Sequence, residues 1–418
     1  AVLTDLIERA TPGLHATVGP RFFGWVIGGS HPVGVAADWL TSAWGQNAGN
    51  HTASPAAAAA EAVAANWLLD LLQLPPTASV GFVTGATVAN FVCLAAARSE
   101  VLRRAGWDFE AKGAFGAPRP TVLIGEDAHS TVFAALQYLG FGSNDLVRIA
   151  TDDQGAIDRQ TFAETIAKTA GPTIVVTQAG QINTGAFDPH EFILEATREH
   201  SNCWVHVDGA FGLWARACPA RAEQAAGIER ADSWATDGHK WLQTPYDCGY
   251  AIVKDPEAHR RAMTIEASYL PPVTAGERDP SHFVPELSRR ARGFATWAML
   301  RYLGREGVST MVFRHCQLAQ LFARTLETED GVTVVNDVVL NQVVVRFGDS
   351  DDETRAVIEA VQSAGVMFAG GARWQRQWVM RLSIINCETT EDDVARSAGS
   401  ILDSWRSVHR SLAVGKAP

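Results

Sequence analysis

An α/β fold, with a largely parallel sheet covered by helices on both faces, is what this sequence predicts, and three observations carry the prediction. Short apolar runs recur up to about residue 250, among them "TVLIGE" (121–126), "LVRIA" (146–150), "TIVVTQ" (173–178), "CWVHVD" (203–208) and "GYAIVK" (249–254). Helical patterns such as "TFAETIAKTA" (161–170) and "HEFILEATREH" (190–200) separate them. A chain of 418 residues that is 47% hydrophobic can also bury a sizeable core, in two or three domains sharing one globular body.

Ser54 and Pro55 open the first long helix, with serine at the N-cap, proline in the first turn and Pro75-Pro76 as the stop. Its alanine run reads as a closely packed helix rather than as low complexity. Strands and helices then alternate. Residues 271–290, "PPVTAGERDPSHFVPELSRR", lack periodicity and are rich in proline and charge, so they read as a long mobile loop. A helix follows in "ARGFATWAMLRYLGREG" (291–307). Renewed alternation in "VVLNQVVVRF" (338–347), "ETRAVIEAVQSAG" (353–365) and "WVMRLSII" (378–385) predicts a second, smaller α/β domain.

Composition narrows the function. A formal charge of −11 without a clustered basic stripe argues against nucleic acid or an anionic membrane, and for a small-molecule ligand. Six cysteines stand singly, without a C-x-x-C pair or metal-ligand spacing, which fits a reducing cytoplasm and predicts neither structural disulfides nor zinc. No apolar run reaches the ~20 residues that span a bilayer, and no signal-peptide pattern opens the chain. Its start at Ala1, without a methionine, points to a segment lost ahead of it.

In sheets of this kind ligands bind beyond the carboxyl ends of the strands, so chemistry is sought there. Gly85-Ala86-Thr87 precedes a helix, where backbone N–H groups and a hydroxyl can hold a phosphate or simply cap the helix. It is neither a dinucleotide fingerprint nor a GK[ST] loop. His129 stands where a strand gives way to a helix; alone, it reads first as a histidine satisfied by neighbouring backbone. Asp208 ends a strongly β-prone run and, being costly to bury, asks for a cation. Lys240 lies between His239 and Trp241 in "DSWATDGHKWLQTPYDCGY" (232–250). An amine in such apolar surroundings becomes a usable nucleophile toward an aldehyde. Phosphate cradle, acid and amine together describe a site for pyridoxal 5′-phosphate, with Asp208 at the pyridine nitrogen and Lys240 on the aldehyde.

These segments resemble the group II pyridoxal-phosphate decarboxylases, the aromatic-amino-acid, histidine and glutamate decarboxylases, within the aspartate-aminotransferase fold (fold type I). The likeness runs from "PRFFGW" (20–25) to "RLSIINCETTEDD" (381–393) and includes "ASPAAAAAE", "EDAHST", "NTGAFDP", "WVHVDGAFG" and "HKWL". It implies a large domain (31–293) with a mostly parallel seven-stranded sheet, a small C-terminal domain (294–418) and an N-terminal segment (1–30) that is shorter than the family's. It implies that Lys240 forms the Schiff base and that His129 stacks on the ring and helps seat the substrate carboxylate. Asp208 pairs with the pyridine nitrogen, Ala210 packs on the other ring face, and Ala86, Thr87 and His239 hold the phosphate. A homodimer with active sites at the subunit interface follows from the same likeness. The implied reaction is decarboxylation of an L-amino acid to the amine and carbon dioxide.

The pattern departs in three places. Family members carry a loop tyrosine, from the neighbouring subunit, that protonates Cα; residues 271–290 contain none. His282 is either its substitute as proton donor or a solvated loop histidine. Without a phenol, an aldehyde synthase or a carbon–carbon lyase is the main rival reading, and an aminotransferase a more distant one. Gly180-Gln181-Ile182 replaces the family's Gly-Thr-Thr, placing Gln181 toward cofactor or substrate, and Asp237-Gly238 replaces Asn-Pro. The wrapping N-terminal helices are mostly missing. By resemblance Phe22 and Trp25 border the substrate side chain, and Asn47 to His51 approach from the other subunit; each aromatic also reads as core or interface packing.

Overall fold

The computed structural model describes residues 1–264 and 278–415. The N-terminal part supplies helices α1 (Val2–Ala10), α2 (Pro32–Trp44) and α3 (Pro55–Leu71). The first sheet and its helices follow as β1 (Ser79–Val83), α4 (Ala86–Arg104), α5 (Phe109–Lys112), β2 (Thr121–Gly125), α6 (Ser130–Tyr138), β3 (Leu146–Ile149), α7 (Arg159–Ile166), β4 (Thr173–Gln178), α8 (His190–Ala196), β5 (Cys203–Asp208), β6 (Ser233–Asp237), β7 (Gly249–Val253) and α9 (Pro256–Met263). Helix α10 (Gly293–Leu326) then leads to β8 (Val332–Val334), β9 (Gln342–Phe347), α11 (Asp351–Ala364), β10 (Gly370–Trp374), β11 (Gln377–Ser383) and α12 (Glu391–Gly415).

The first sheet has seven strands in the order β1-β7-β6-β5-β4-β2-β3, and only β7 runs against the others. Along β4, Ile174 and Val176 face α4 and α6, whereas Val175 faces the cluster that contains α3 and α10 residues. This period of two, with apolar side chains on both faces, explains why the strands read as unbroken apolar runs. The smaller sheet is antiparallel, β10-β11-β9-β8, with its own core against α11 and α12.

Because β1 and the parallel strands share a direction, β1, β2, β4, β5 and β6 all deliver their carboxyl ends to one edge. Gly249 lets β7 start beneath the turn before α4: a Cβ there would lie 2.5 Å from the Cα of Gly85. Gly28 performs the same service for the N-terminal segment, since its Cβ would meet the carbonyl oxygens of His239 and Lys240 at 2.4 and 2.5 Å.

Residues 278–290 correct the expectation of a long mobile loop; 271–277 lie outside the described residues. A short 3₁₀ turn (Pro280–Phe283) packs along β1, and Asp279 Oδ1 accepts the His51 N–H at 2.7 Å. Ser281 N–H donates to Gly49 O at 2.9 Å, and Phe283 O accepts His259 Nε2–H at 3.0 Å. The charges that mark this stretch as a loop are consumed internally: the guanidinium of Arg278 binds the Val80 carbonyl, and that of Arg289 binds Glu61 and Phe82 O.

Candidate active site

The strand ends enclose a cavity of about 350 Å³ lined by Thr84, Gly85, Ala86, Thr87, His129, Asp208, Ala210, Asp237, His239, Lys240 and Tyr246, among others. Every residue that the sequence assigned to a cofactor, Ala86, Thr87, His129, Asp208, Ala210, His239 and Lys240, borders this one space. Asp208 sits at the end of β5 between β4 and β6, and burial raises its carboxyl pKa. Its Oδ1 accepts the Ala210 N–H at 3.2 Å. Among the described residues no cation lies within 4 Å of it. The Ala210 carbonyl in turn takes the Asp237 N–H at 3.0 Å, which ties the end of β5 to that of β6.

His129 caps α6, its Nδ1 accepting from Thr131 N–H at 3.3 Å and lying 2.7 Å from Thr131 Oγ1. Burial lowers the pKa of its imidazole, with Lys240 and Arg381 adding to the effect and Asp208 opposing it. At neutral pH the ring is therefore uncharged. His239 is likewise lowered by burial; its Nδ1 accepts the Cys248 N–H at 3.2 Å and its ring stacks on Tyr246 with centroids 4.2 Å apart.

Lys240 differs from the sequence expectation of a purely apolar setting. Its Nζ lies 2.9 Å from Asp237 Oδ2. The other oxygen, Oδ1, accepts the Ala86 N–H at 2.6 Å, at the start of α4. In the sequence Asp237 stands out only as a departure from the family pattern, and its double engagement joins residues 151 positions apart in a way that no local motif reveals.

A second cavity of about 810 Å³ shares His129 and Ile182 with the first and is walled by Trp25, Asp127, Gln181, Trp374 and Arg381. Trp25 belongs to an aromatic cluster with Phe22 and Phe368, in which Phe22 stacks on Phe368 at 4.7 Å; Phe22 itself is buried behind the wall. Gln181 borders this space, but its amide is spent locally: Oε1 accepts the N–H groups of Asn183 and Thr184, and Nε2 donates to Asp127 O at 3.3 Å. It holds the turn after β4, and of its two amide N–H donors one is used in the bond to Asp127 O. Asn47 Oδ1 accepts the Arg289 N–H at 3.0 Å, away from both cavities of its own chain, and His282 borders neither. Arg381, which sequence reasoning passed over, is partly buried on β11. Its nearest polar partner, Asn183 Oδ1, lies 3.4 Å away, and among the described residues no carboxylate lies within 4 Å.

The donor set fits pyridoxal phosphate: a buried acid with no cation within 4 Å among the described residues, an amine in the same cavity, and a helix N-terminus for an anion. Fold and cavity thus define a fold type I pyridoxal-phosphate enzyme. The profile described as pyridoxal-dependent decarboxylase conserved domain matches residues 1–348, and the chain belongs to that family. It is 26% identical over 390 residues to the aromatic-L-amino-acid decarboxylase of Bacillus atrophaeus, covering 90% of this chain and 79% of that protein. It is equally 26% identical over 437 residues to the phenylacetaldehyde synthase of a Rosa hybrid cultivar, covering 97% and 84%. The structure of Oryza sativa TDC with PLP and tryptamine superimposes with a TM-score of 0.89 at 24% identity, over 97% of this chain and 87% of that one. The cofactor is pyridoxal 5′-phosphate, and the family's enzymes are amino-acid carboxy-lyases.

Proposed function

We propose that the protein decarboxylates an L-amino acid with an aromatic side chain, releasing carbon dioxide and the amine. The observation that carries this reading is the convergence of Lys240, Asp208 and His129 on one cavity whose neighbour is walled by Trp25 and Trp374. Pyridoxal phosphate, when bound, supplies the electron sink that accepts the pair left as the Cα–carboxylate bond breaks. Asp208 keeps the ring nitrogen protonated, because a buried carboxylate is stabilised by an adjacent cation. His129, uncharged and fixed by its bonds to Thr131, presents a flat ring face to the cofactor and carries its remaining proton at Nε2. Lys240 anchors the cofactor and holds a proton at Nζ. Ala210 would pack on the opposite ring face, and Ala86, Thr87 and His239 would hold the phosphate.

Arg381 is assigned to the substrate carboxylate because, of the three guanidinium groups that line the outer cavity (Arg373, Arg376 and Arg381), it alone is partly buried, and among the described residues no carboxylate pairs with it. Trp25, backed by Phe22, offers the side chain an aromatic surface. His282 and Asn47 can contribute only from a second subunit. We accordingly propose a homodimer in the cytoplasm, supported by the exposed apolar side chains of α1 (Val2, Leu3, Leu6, Ile7) and α2 (Trp39, Leu40, Trp44). Among the described residues no helix is long and apolar enough to cross a membrane.

One observation favours a second reading. Residues 271–290 lack tyrosine, and the chain is as similar to the Rosa phenylacetaldehyde synthase as to the Bacillus atrophaeus decarboxylase, at 26% identity each. In that reading one dioxygen and one water would be consumed per amino acid, and carbon dioxide, aldehyde, ammonia and hydrogen peroxide would be released in place of the amine. Incubating the holoenzyme with a panel of amino acids and quantifying amine, aldehyde and peroxide decides between them. Amine with stoichiometric carbon dioxide sustains the first reading; aldehyde with peroxide replaces it by the second.

A further inference from the structure

Asp237 occupies an unusual place for an acid. Its side chain is almost fully buried at the end of β6, yet the carboxylate borders the cofactor cavity. One oxygen takes the Ala86 N–H at 2.6 Å and the other lies 2.9 Å from Lys240 Nζ. Helix α4, nineteen residues long, receives no cap from its own N-cap residue, because Gly85 has no side chain to offer. His239 Nε2 stands 3.6 Å from the same Oδ1. A single internal anion therefore engages the helix amide, the reactive amine and a flanking imidazole. These are groups that the cofactor's own phosphate and aldehyde require.

Two anions cannot share one helix N-terminus without repulsion, and the carboxylate cannot swing away freely, since its side chain is buried with both oxygens engaged and its own N–H is bonded to Ala210 O. We propose that Asp237 is an internal counter-anion that stands in for the cofactor's phosphate in the cofactor-free protein and selectively weakens the grip on that phosphate once the cofactor is bound. The inference rests on pyridoxal phosphate being the cofactor. It makes Asp237 a positioning residue that sets cofactor affinity and exchange, distinct from the groups that act on the substrate. An asparagine in its place keeps an acceptor for the Ala86 N–H, adds an N–H donor for phosphate and removes the like charge.

Cofactor-free wild type and Asp237→Asn are titrated with pyridoxal phosphate and, separately, with pyridoxal, which has the same aldehyde and ring without the phosphate. Binding is followed by absorbance and by quenching of tryptophan fluorescence. The expected result is a gain of about tenfold or more in affinity for pyridoxal phosphate in the variant, on the scale of a like charge removed from a buried site. Affinity for pyridoxal should change by less than about threefold. Inorganic phosphate should also raise the melting temperature of the cofactor-free variant more than that of wild type, a readout that does not involve Lys240. Asp237→Ser, which also removes the charge, should reproduce the phosphate-selective gain should the asparagine variant not fold. Unchanged or weaker binding of pyridoxal phosphate overturns the proposal, as does an equal gain for both aldehydes, which would place the effect at Lys240. Absence of any spectral response to pyridoxal phosphate in all forms would remove the cofactor assignment itself, and the inference with it.

Discussion

Glu61 of α3 and Arg289, 228 positions later, form an ion pair with both side chains buried. Arg278 stands 3.8 Å from the second carboxylate oxygen, and Arg289 also donates to Phe82 O at 3.2 Å. One acid thereby fastens residues 278–290 to the helix behind β1 and fixes the strand that feeds the cofactor cavity.

Removing that acid leaves two buried guanidinium groups facing a hole. Glu61→Ala should therefore destabilise the protein by about 3–5 kcal/mol, the cost of breaking a buried pair from one side. Urea denaturation measures it: the midpoint should fall while the slope is kept. A loss below about 1 kcal/mol, the size of an exposed pair, would mean that water reaches the site.

Lys240→Ala tests the anchor directly. The wild-type protein reduced with borohydride in the presence of pyridoxal phosphate should carry the cofactor covalently on the peptide containing Lys240, and the variant should not. Turnover should fall by at least about three orders of magnitude, as when a covalent catalyst is deleted from an otherwise intact site. Mass spectrometry of the reduced, digested protein locates the label; a labelled Lys254 or N-terminus instead would refute the assignment.

Much of this architecture was legible because burial writes itself into strands. Thr173–Gln178 is buried at every position, so β4 reads as an apolar run, and the same holds for β7 and, after a half-buried first residue, for β2 and β5. Strand β6 escaped notice because Ser233, Thr236 and Asp237 are polar, yet all are buried by bonds from elsewhere, such as Trp204 Nε1–H to Ser233 Oγ at 2.9 Å. Lys240, Asp208 and His129 were visible because each breaks the pattern at a strand end. Arg381 was not, since an arginine in "QWVMRLS" looks like an ordinary outward-facing strand residue. Residues 278–290 misread as mobile for a related reason: their prolines and charges are satisfied by Glu61, His51 and β1, partners far away in sequence.

Buried histidines predict how stability depends on pH. His206 is fully enclosed, between Asn90 Oδ1 at 2.8 Å and Ser233 Oγ at 2.9 Å, and burial lowers its pKa to about 3. His259 and His315 are lowered to about 3 and His190 to about 4, each chiefly by burial. From about pH 6.5 downward the unfolded chain binds protons that the folded chain refuses, so stability falls with pH across that window and gains nothing above it. Asp188, raised to about 7 by burial, opposes this with one proton, because the folded state holds it over a range where the unfolded state has lost it. Denaturation midpoints between pH 7 and 4 should decline. In His206→Gln, whose amide can keep both partners, the decline should be shallower by about 1.4 kcal/mol per pH unit below the unfolded pKa. Identical slopes for the two proteins would show that His206 takes up a proton in the native state.

Arg381 invites the sharpest kinetic test of substrate binding. Its guanidinium lines the outer cavity beside His129, burial lowers its pKa, and no carboxylate of the described chain lies within 4 Å. A charge so placed is costly until an anion meets it. The α-carboxylate of the substrate supplies that anion, but it is also the group that departs as neutral carbon dioxide. Pairing with Arg381 therefore weakens as the transition state is reached, and it favours the bound substrate more than the reaction. Arg381→Met should raise KM by about ten- to a hundredfold while kcat stays level or rises, a combination that marks binding lost from the ground state. Steady-state kinetics on the best amino acid of the panel, with bound cofactor quantified in both proteins, gives the two constants separately. A collapse of kcat at unchanged KM would instead place Arg381 against charge that develops in the transition state, and the carboxylate assignment would be wrong.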